Sequence, residues 1–416
     1  TGTADSLSAN WSGFSDSFSG IQYFEYAIGT TLQGTDVVSW TLNNTDSAMI
    51  HSGLTLTNGS AYYVSVRATD FAENVSNIGS SDGVTVDIEV PIAGIVFDGA
   101  EQDEEWTNSY ATLESNWSGF SDAVSGIQHY EYAIGTTSGA TDAVDWTNNE
   151  LATSFIREDL TLQSGTTYYI SVRATDLVEN ISAAATSNGI TVDQFNPTVS
   201  DPFDGSLAED IDWQQDNTTL IAAWQGDDTR EIAYYEYSFS TAQGDSNIVA
   251  WTDNGTNTDA SVSGLSLTNG TTYYVNVRAY DMAGNRSAIA ISDGITIDFE
   301  PPSAGEVNDG ASEDIWLSNS FETADANWSG FSDALSGITI YEYALGSSVG
   351  SNDIIDWTTV GADTTFVENS GLSLEHAASY YFSVRATDLV ENVSAVASSD
   401  GFVIDIYPGP PTFVSM

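Results

Sequence analysis

The sequence contains no cysteine and no lysine, and its only strongly basic residues are seven arginines among 416 residues. Without cysteine the chain forms neither disulfides nor thiolate metal sites, and it carries no indication of its redox compartment. Against the seven arginines stand 60 aspartates and glutamates, so the formal net charge is -53. A surface this negative repels nucleic-acid phosphates and anionic lipid headgroups. We therefore expect no nucleic-acid partner and consider cations the natural small ligands.

Long apolar runs are also missing. The longest stretches are a few residues, whereas a membrane-spanning helix needs roughly 20, so we expect no direct membrane insertion. Charged residues make up only 16% of the chain and hydrophobic residues 41%, which is typical of folded cores and not of an acidic disordered tail. The chain opens without a basic and apolar leader, so an export signal has been removed or lies outside this segment.

One unit recurs four times at intervals of 104 to 107 residues, about one domain length. Its markers are a tryptophan and an arginine in each copy: Trp11, Trp117, Trp224 and Trp328, and Arg67, Arg173, Arg278 and Arg385. Between them lie a tyrosine-rich string, such as YEYAIGTT from Tyr130, and a second tryptophan at 40, 146, 251 or 357. We predict domains at 1–88 (repeat 1, first strand truncated), 89–194 (repeat 2), 195–299 (repeat 3) and 300–406 (repeat 4). Residues 407–416 are a linker or the start of a further domain.

Within a repeat, apolar residues alternate with period two. In YYVSVRATD, residues Tyr62, Val64, Val66 and Ala68 face one side and Tyr63, Ser65 and Arg67 the other, as in a half-buried antiparallel strand. Turn signals such as Asn58-Gly59 separate six or seven short strands in each copy. The pattern predicts an all-β chain of β-sandwiches.

The unit resembles a fibronectin type III domain, in which a Leu-x-Pro-Gly-Thr-x-Tyr segment forms a tyrosine corner. Here the segment reads LTNGSAY, Leu56 to Tyr62, with Asn in place of Pro. The resemblance implies four tandem fibronectin type III-like β-sandwich domains in an extended array. It also implies that four tyrosines hydrogen-bond to backbone a few residues upstream: Tyr62, Tyr168, Tyr273 and Tyr380. More narrowly, NWSGFSD, YEYAIGTT and VRATD resemble tandem repeats of giant exported surface proteins of marine Bacteroidota.

Acidic segments open repeats 2 to 4: DGAEQDEEW, DGSLAEDIDW and DGASEDIW. Clustered carboxylates suit a hard cation such as calcium. Further aspartates close the preceding repeats eleven residues earlier, so both sets could meet at domain junctions, as calcium ligands do in cadherin arrays. The candidate ligands are Asp87, Asp98, Asp103, Asp193, Asp204, Asp210, Asp212, Asp298, Asp309 and Asp314. The alternative is a set of solvated acidic linkers with Asp at turn positions.

Two other recurring patterns predict structural roles. If the first residue of each tyrosine-rich string points inward, the following glutamate points outward and lies beside the outward arginine of the neighbouring strand. The predicted cross-strand ion pairs are Glu25 with Arg67, Glu131 with Arg173, Glu236 with Arg278, and Glu342 with Arg385. Aspartates followed four residues later by asparagine, such as Asp176 and Asn180, are interpreted as hairpin turns.

No catalytic constellation is visible, because His51, His129 and His376 occupy non-equivalent positions and carboxylates are too abundant for a pair to be informative. We predict a non-enzymatic stalk or filament segment of an exported protein, extracellular at the cell surface, with no cofactor except calcium. A homo-oligomer or bundle of identical chains is the expected partner arrangement. Two alternatives stay open: an adhesive module that binds a glycan or protein on a target cell, and a spacer in a large secreted hydrolase.

Overall fold

The computed structural model describes residues 1–207 and 209–407, and every regular element in them is a β-strand. The predicted linker at 407–416 lies, except for Tyr407, outside the described residues. In the described part of the chain there is no helix long and apolar enough to cross a membrane. The chain divides into two compact units, Thr1–Phe195 with Ala283–Asn285, and Asn196–Met282 with the chain from Arg286 onward.

The strands of the first unit belong to repeats 1 and 2. Repeat 1 contains β1 (Ser6–Asn10), β2 (Ile21–Gly29), β3 (Val38–Leu42), β4 (Ala48–Ser52), β5 (Ala61–Asp70), β6 (Gly79–Ser80) and β7 (Val84–Thr85). Repeat 2 contains β8 (Ile95–Asp98), β9 (Trp106–Thr107), β10 (Leu113–Ser118), β11 (Ile127–Gly135), β12 (Val144–Asn148), β13 (Ser154–Arg157), β14 (Thr167–Asp176), β15 (Ala185–Thr186) and β16 (Ile190–Val192).

The strands of the second unit belong to repeats 3 and 4. Repeat 3 contains β17 (Thr198–Val199), β18 (Phe203–Ser206), β19 (Glu209–Asp210), β20 (Trp213–Gln214), β21 (Thr219–Ala223), β22 (Gly226–Asp227), β23 (Ile232–Ser240), β24 (Val249–Asp253), β25 (Asp259–Ser263), β26 (Thr272–Asp281), β27 (Ala290–Ile291) and β28 (Ile295–Ile297). Repeat 4 contains β29 (Glu306–Asp309), β30 (Leu317–Ser318), β31 (Thr323–Ser329), β32 (Ile338–Gly346), β33 (Ile355–Gly361), β34 (Phe366–Ser370), β35 (Ser379–Asp388), β36 (Ala397–Ser398) and β37 (Phe402–Ile404).

Repeat 2 shows the sheet topology in full. One sheet has the order β13-β10-β8, and the other has the order β12-β11-β14-β16-β9, with β15 also paired to β14. Apolar residues of both sheets form one core, for example Trp117 on β10 and Ile170 on β14. Two sheets that enclose one core make a β-sandwich. Repeat 4 has the same order, β34-β31-β29 in one sheet and β33-β32-β35-β37-β30 in the other.

The cores follow from the period-two patterning. On β5, Tyr62, Val64, Val66 and Ala68 are buried, as the alternation predicts, because successive side chains of a strand point to opposite faces. Each repeat contributes one separate hydrophobic cluster among the described residues. The predicted all-β fold of β-sandwiches is confirmed, while the exact domain boundaries stay a prediction from the sequence repeat.

The tyrosine corner is present in every repeat. In each, the hydroxyl of a buried tyrosine accepts a hydrogen bond from the backbone N–H five residues upstream. The donor-acceptor distances are 3.0 Å for Thr57 to Tyr62, 3.2 Å for Gln163 to Tyr168, 2.9 Å for Thr268 to Tyr273, and 2.9 Å for Glu375 to Tyr380. The bond holds the segment that leads into β5, β14, β26 or β35 against the core.

Candidate functional site

In every repeat, the sheet that contains the tyrosine-rich strand carries the same three side chains on its outer face: a glutamate, an arginine and a tryptophan. Glu131 on β11 lies directly opposite Arg173 on β14, and the arginine Nε donates to Glu131 Oε2 at 2.8 Å. The structure brings the other predicted pairs together in the same way, at 2.8 Å for Arg67 with Glu25, 2.6 Å for Arg278 with Glu236, and 2.7 Å for Arg385 with Glu342.

A tryptophan of the adjacent strand covers each arginine, and this contact was missed in the sequence. The guanidinium carbon of Arg173 lies 4.2 Å from the ring centroid of Trp146 on β12, which is cation-π geometry. The other contacts are Arg67 over Trp40 at 4.3 Å, Arg278 over Trp251 at 4.2 Å, and Arg385 over Trp357 at 4.5 Å. The nearly constant spacing of Trp and Arg, 27 residues in repeats 1 to 3 and 28 in repeat 4, was the available signal. We call this set the Glu-Arg-Trp face.

The acidic segments place one buried aspartate at the end of an early strand. Asp309, the last residue of β29, is 0% exposed, and its Oδ2 accepts a hydrogen bond from the Gly401 amide at 2.9 Å. Asp314 Oδ1 accepts from the Asp309 amide at 3.1 Å. The turn between them is tight and requires a glycine. Gly310 has φ +106°, and a Cβ there would lie 2.5 Å from the Glu313 carbonyl oxygen.

Repeat 3 has the same hydrogen bonds, although its buried aspartate, Asp204, is the second residue of β18 and not the last. Asp204 is 1% exposed, its Oδ2 accepts from the Gly294 amide at 2.9 Å, and Asp210 Oδ1 accepts from the Asp204 amide at 2.7 Å. Burial raises the pKa of Asp204 to about 7, with Asp210 and Asp293 adding to the rise and the nearby Ser292 hydroxyl and the Gly294 amide opposing it. Burial likewise raises the pKa of Asp309 to about 6.

These aspartates belong to two three-carboxylate clusters within the second unit: Asp204, Asp210 and Asp293, and Asp309, Asp314 and Asp400. In each cluster, one carboxylate oxygen per residue lies within 4.8 Å of the others. Asp293 and Asp400 come from the segments that follow β27 and β36 and were absent from the predicted ligands. Each directly precedes the glycine whose amide binds the buried aspartate of its repeat. Their proximity to that aspartate is therefore visible only once the strands are paired.

Repeat 2 has the same buried aspartate but a different third position. Asp98 is 0% exposed, and its Oδ2 accepts from the Gly189 amide at 2.9 Å. Asp103 Oδ1 accepts from the Asp98 amide at 3.1 Å. Asn188 precedes Gly189 where repeats 3 and 4 have Asp293 and Asp400. No three-carboxylate cluster forms around Asp98 among the described residues.

A different kind of cluster includes the aspartates that close the repeats. In the first unit, oxygens of Asp87, Asp122 and Asp176 lie within 4.8 Å of one another, and in the second unit the same holds for Asp298, Asp333 and Asp388. These carboxylates accept backbone amide hydrogens. Asp122 Oδ1, for instance, accepts from Val124, Ser125 and Gly126, and these bonds hold the pKa of Asp122 below its usual range although burial opposes them.

The turn interpretation of the Asp-Asn pairs agrees with these contacts. Asp176 Oδ1 accepts from the amides of Val178 and Asn180 at 2.8 and 2.9 Å. The side-chain amide of Asn180 also donates to the carbonyl of Glu89 at 3.0 Å. The same side-chain amide lies 3.4 Å from the carbonyl of Asp87, so the segment serves both as a turn and as a contact with the end of repeat 1.

The two sets of predicted calcium ligands do not share a cluster in the described residues. Asp98 and Asp103 lie near Gly189 of their own repeat, whereas Asp87 lies near Asp122 and Asp176. The extended strand β8 separates them, since each strand residue advances the chain by about 3.3 Å. Asp193 is buried and binds the Phe195 amide at 3.0 Å through Oδ1, and exposed Asp212 contributes its backbone carbonyl to the Thr296 amide at 2.8 Å.

Comparisons with known proteins relate the chain to part of an exoglucanase and, at low identity, to solved structures. No protein-family model matches it. Exoglucanase B of Cellulomonas fimi is 28% identical over 185 residues, which is 44% of this chain and only 15% of that protein's length.

Three solved structures are similar at low identity. The FN1–FN3 domains of chicken CNTN1 are 14% identical with a TM-score of 0.27, covering 72% of this chain and 95% of that one. Domains from titin are 14% identical with a TM-score of 0.34, covering 76% and 99%. The fibronectin(III)-like modules of Clostridium thermocellum CbhA are 13% identical with a TM-score of 0.27, covering 50% and 94%. At such identities the likeness does not extend to function.

Proposed function

We propose that this chain is a non-catalytic structural segment, a stalk or filament portion of an exported bacterial cell-surface protein. The observation that carries the proposal is the equal construction of the repeats. Each has its own sandwich core, its tyrosine corner and its Glu-Arg-Trp face. A spacer requires the same packing features in every copy and no chemistry that is specific to one copy.

Charge and sequence strings support an extracellular, cell-surface location. A net charge of -53 keeps a repetitive β-protein soluble. The strings NWSGFSD and YEYAIGTT resemble repeats of giant exported surface proteins of marine Bacteroidota. In this setting the partners are identical chains bundled into a filament.

An enzymatic role for the acidic clusters is the first alternative to test. Asp204 has the raised pKa of a general acid, but the residue is only 1% exposed, whereas a general acid must lie within hydrogen-bond reach of the glycosidic oxygen. We expect the purified chain to release no reducing sugar from cellulose or xylan. Hydrolysis that disappears in Asp204→Asn and persists in the surface variant Asp363→Asn would contradict the proposal.

A spacer within a large secreted hydrolase is the second candidate. The match to Exoglucanase B of Cellulomonas fimi favours it, because the matched part is a small fraction of that relative's length and leaves room for a catalytic domain elsewhere. Both candidates assign the same non-catalytic role to this chain and differ in what is attached to it.

Immunogold electron microscopy of native cells, with an antibody raised against this chain, separates the two. We expect label along discrete surface appendages. Label dispersed in the medium, together with a catalytic domain in the same polypeptide, would contradict the appendage role and establish the hydrolase spacer. Pre-immune serum is the control for adsorption to the acidic cell surface.

A further inference from the structure

We infer that repeats 3 and 4 each contain a calcium site built around a buried aspartate, Asp204 with Asp210 and Asp293, and Asp309 with Asp314 and Asp400. The inference does not depend on the proposed spacer function, since it concerns sites inside individual repeats.

The buried aspartates lack one hydrogen bond. Oδ2 of Asp309 accepts the Gly401 amide, but Oδ1 is buried and has no hydrogen-bond partner among the described residues. Oδ1 of Asp204 is likewise buried and has no hydrogen-bond partner among the described residues. An ionised carboxylate removed from water without a partner is costly, and a bound cation is the partner that suits an oxygen already surrounded by carboxylates.

The distances fit a common ion. Calcium binds oxygen ligands at about 2.3–2.6 Å, so two of its ligands are at most about 5 Å apart. In both clusters the three carboxylate oxygens lie within 4.8 Å of one another. The ligands are oxygens only, which disfavours zinc and other metals that prefer nitrogen or sulfur.

The exposure of the other two carboxylates determines the strength of binding. Asp210 and Asp293, like Asp314 and Asp400, are exposed, so water can complete the six to eight ligands that calcium takes. A site of this kind, open and with three carboxylates, belongs to the range of extracellular modules, with Kd of about 10⁻⁴ to 10⁻³ M.

Repeat 2 is a natural variant of the site. Asp98 has the same partnerless buried Oδ1 and the same bond to a glycine amide, but Asn188 stands at the third position. An asparagine offers one neutral oxygen where aspartate offers a charge, so repeat 2 binds calcium more weakly than repeats 3 and 4. The clusters around Asp87 and Asp298 are excluded from the inference because backbone amides bind both carboxylate oxygens of Asp87 and both of Asp298.

Isothermal titration of Ca²⁺ into the full, chelator-treated chain tests the inference. We expect the double variant Asp293→Asn with Asp400→Asn to bind two fewer ions per chain, because the affinity of each of the two sites falls by at least about tenfold. Asn188→Asp is expected to add one ion in repeat 2. Both changes lie at exposed positions and preserve the fold, which circular dichroism verifies.

The control variant is Asp363→Asn, at an exposed turn residue of repeat 4, which changes the net charge by the same amount as either single substitution. We expect it to leave the stoichiometry and the affinity unchanged. Binding that is absent at millimolar calcium, unchanged in the double variant, or reduced equally by Asp363→Asn would overturn the inference.

Discussion

At the scale of single residues, the arginines of the Glu-Arg-Trp face combine two interactions of modest strength. Arg385 keeps 32% of its side chain exposed while it binds Glu342 at 2.7 Å, so solvent screens the ion pair. Its planar guanidinium also stacks on Trp357. Lysine retains the charge but neither the planar stacking nor the forked hydrogen-bonding geometry.

We therefore predict that Arg385→Lys lowers the local stability of β35 by about 0.5–1 kcal/mol, the size of an exposed cation-π contact. Hydrogen exchange of the peptide amides in Ser379–Asp388 measures the free energy of opening. The equivalent strand β14, Thr167–Asp176, is the internal control and is expected to keep its exchange rates. Equal rates in β35 of both proteins would mean that the stacking contributes nothing.

A second prediction at this scale concerns Asp98. Burial raises its pKa to about 6, with Asp103 adding to the rise and the nearby Ser187 hydroxyl and the Gly189 amide opposing it. Because the folded-state pKa lies above the ordinary value of 3.8, the folded chain binds the extra proton. Stability of repeat 2 is then greatest below pH 4 with respect to this group and falls as the pH rises through about 6.

Asp98→Asn removes that ionisation and keeps an oxygen for the Gly189 amide. We predict that the thermal midpoint of the variant exceeds that of the parent chain increasingly from pH 4.5 to pH 7.5 in chelator. The exposed variant Asp103→Asn is the control and is expected to have a smaller effect. A difference between variant and parent that is constant with pH would refute the proton linkage.

At the scale of the element, the beginning of the last strand in each sandwich depends on a glycine beneath a tyrosine. Gly189, just before β16, has φ +100°, and a Cβ there would lie 2.7 Å from Cε1 of Tyr169 on β14. The position therefore excludes side chains for two reasons, the backbone conformation and the close approach of the ring.

We predict that Gly189→Ala destabilises repeat 2 by about 1–3 kcal/mol, measured as accelerated hydrogen exchange of the amides in Ile190–Val192. Adding Tyr169→Ala is expected to restore part of the loss, because it relieves the clash and leaves the backbone strain. Gly139→Ala is the matched control, since Gly139 has φ +80° and nothing within 4 Å of the added Cβ. The model of a packed glycine fails if both glycine variants behave alike.

At the scale of the whole molecule, the charge is the dominant feature. Four of the seven arginines are engaged with glutamates on the Glu-Arg-Trp face, so little positive charge remains to offset the other carboxylates. Self-repulsion of a net charge of -53 opposes folding at low ionic strength. Screening shortens its range from about 30 Å at 0.01 M salt to about 10 Å at 0.1 M.

We accordingly predict that the thermal midpoint rises when NaCl is increased from 10 mM to 100 mM in the presence of chelator. Tetramethylammonium chloride is the control, because a cation too bulky for a carboxylate cluster screens as well as sodium does. Differential scanning calorimetry measures both series. A midpoint that is independent of salt would show that the repulsion is relieved in some other way.

The sequence alone was sufficient for the fold and for pairwise contacts along known strands. Period-two alternation predicted the buried face of β5, and the single-residue offset between Tyr130 and Glu131 predicted that Glu131 would lie beside Arg173. Both follow from the alternating geometry of strands, which is local. The recurrence of the motif at one-domain intervals predicted that the sandwich repeats, because the same local strand pattern returns in each copy.

Only the tertiary structure determined which aspartates come together. The sequence placed Asp98 with Asp87, eleven residues away, but β8 carries Asp98 to the segment that contains Asn188. It did not indicate that Asp400 joins Asp309 across 91 residues, or that Trp146 covers Arg173. Such contacts depend on how the strands pair and where the loops between them run. A sequence with many carboxylates does not indicate which of those carboxylates lie next to one another.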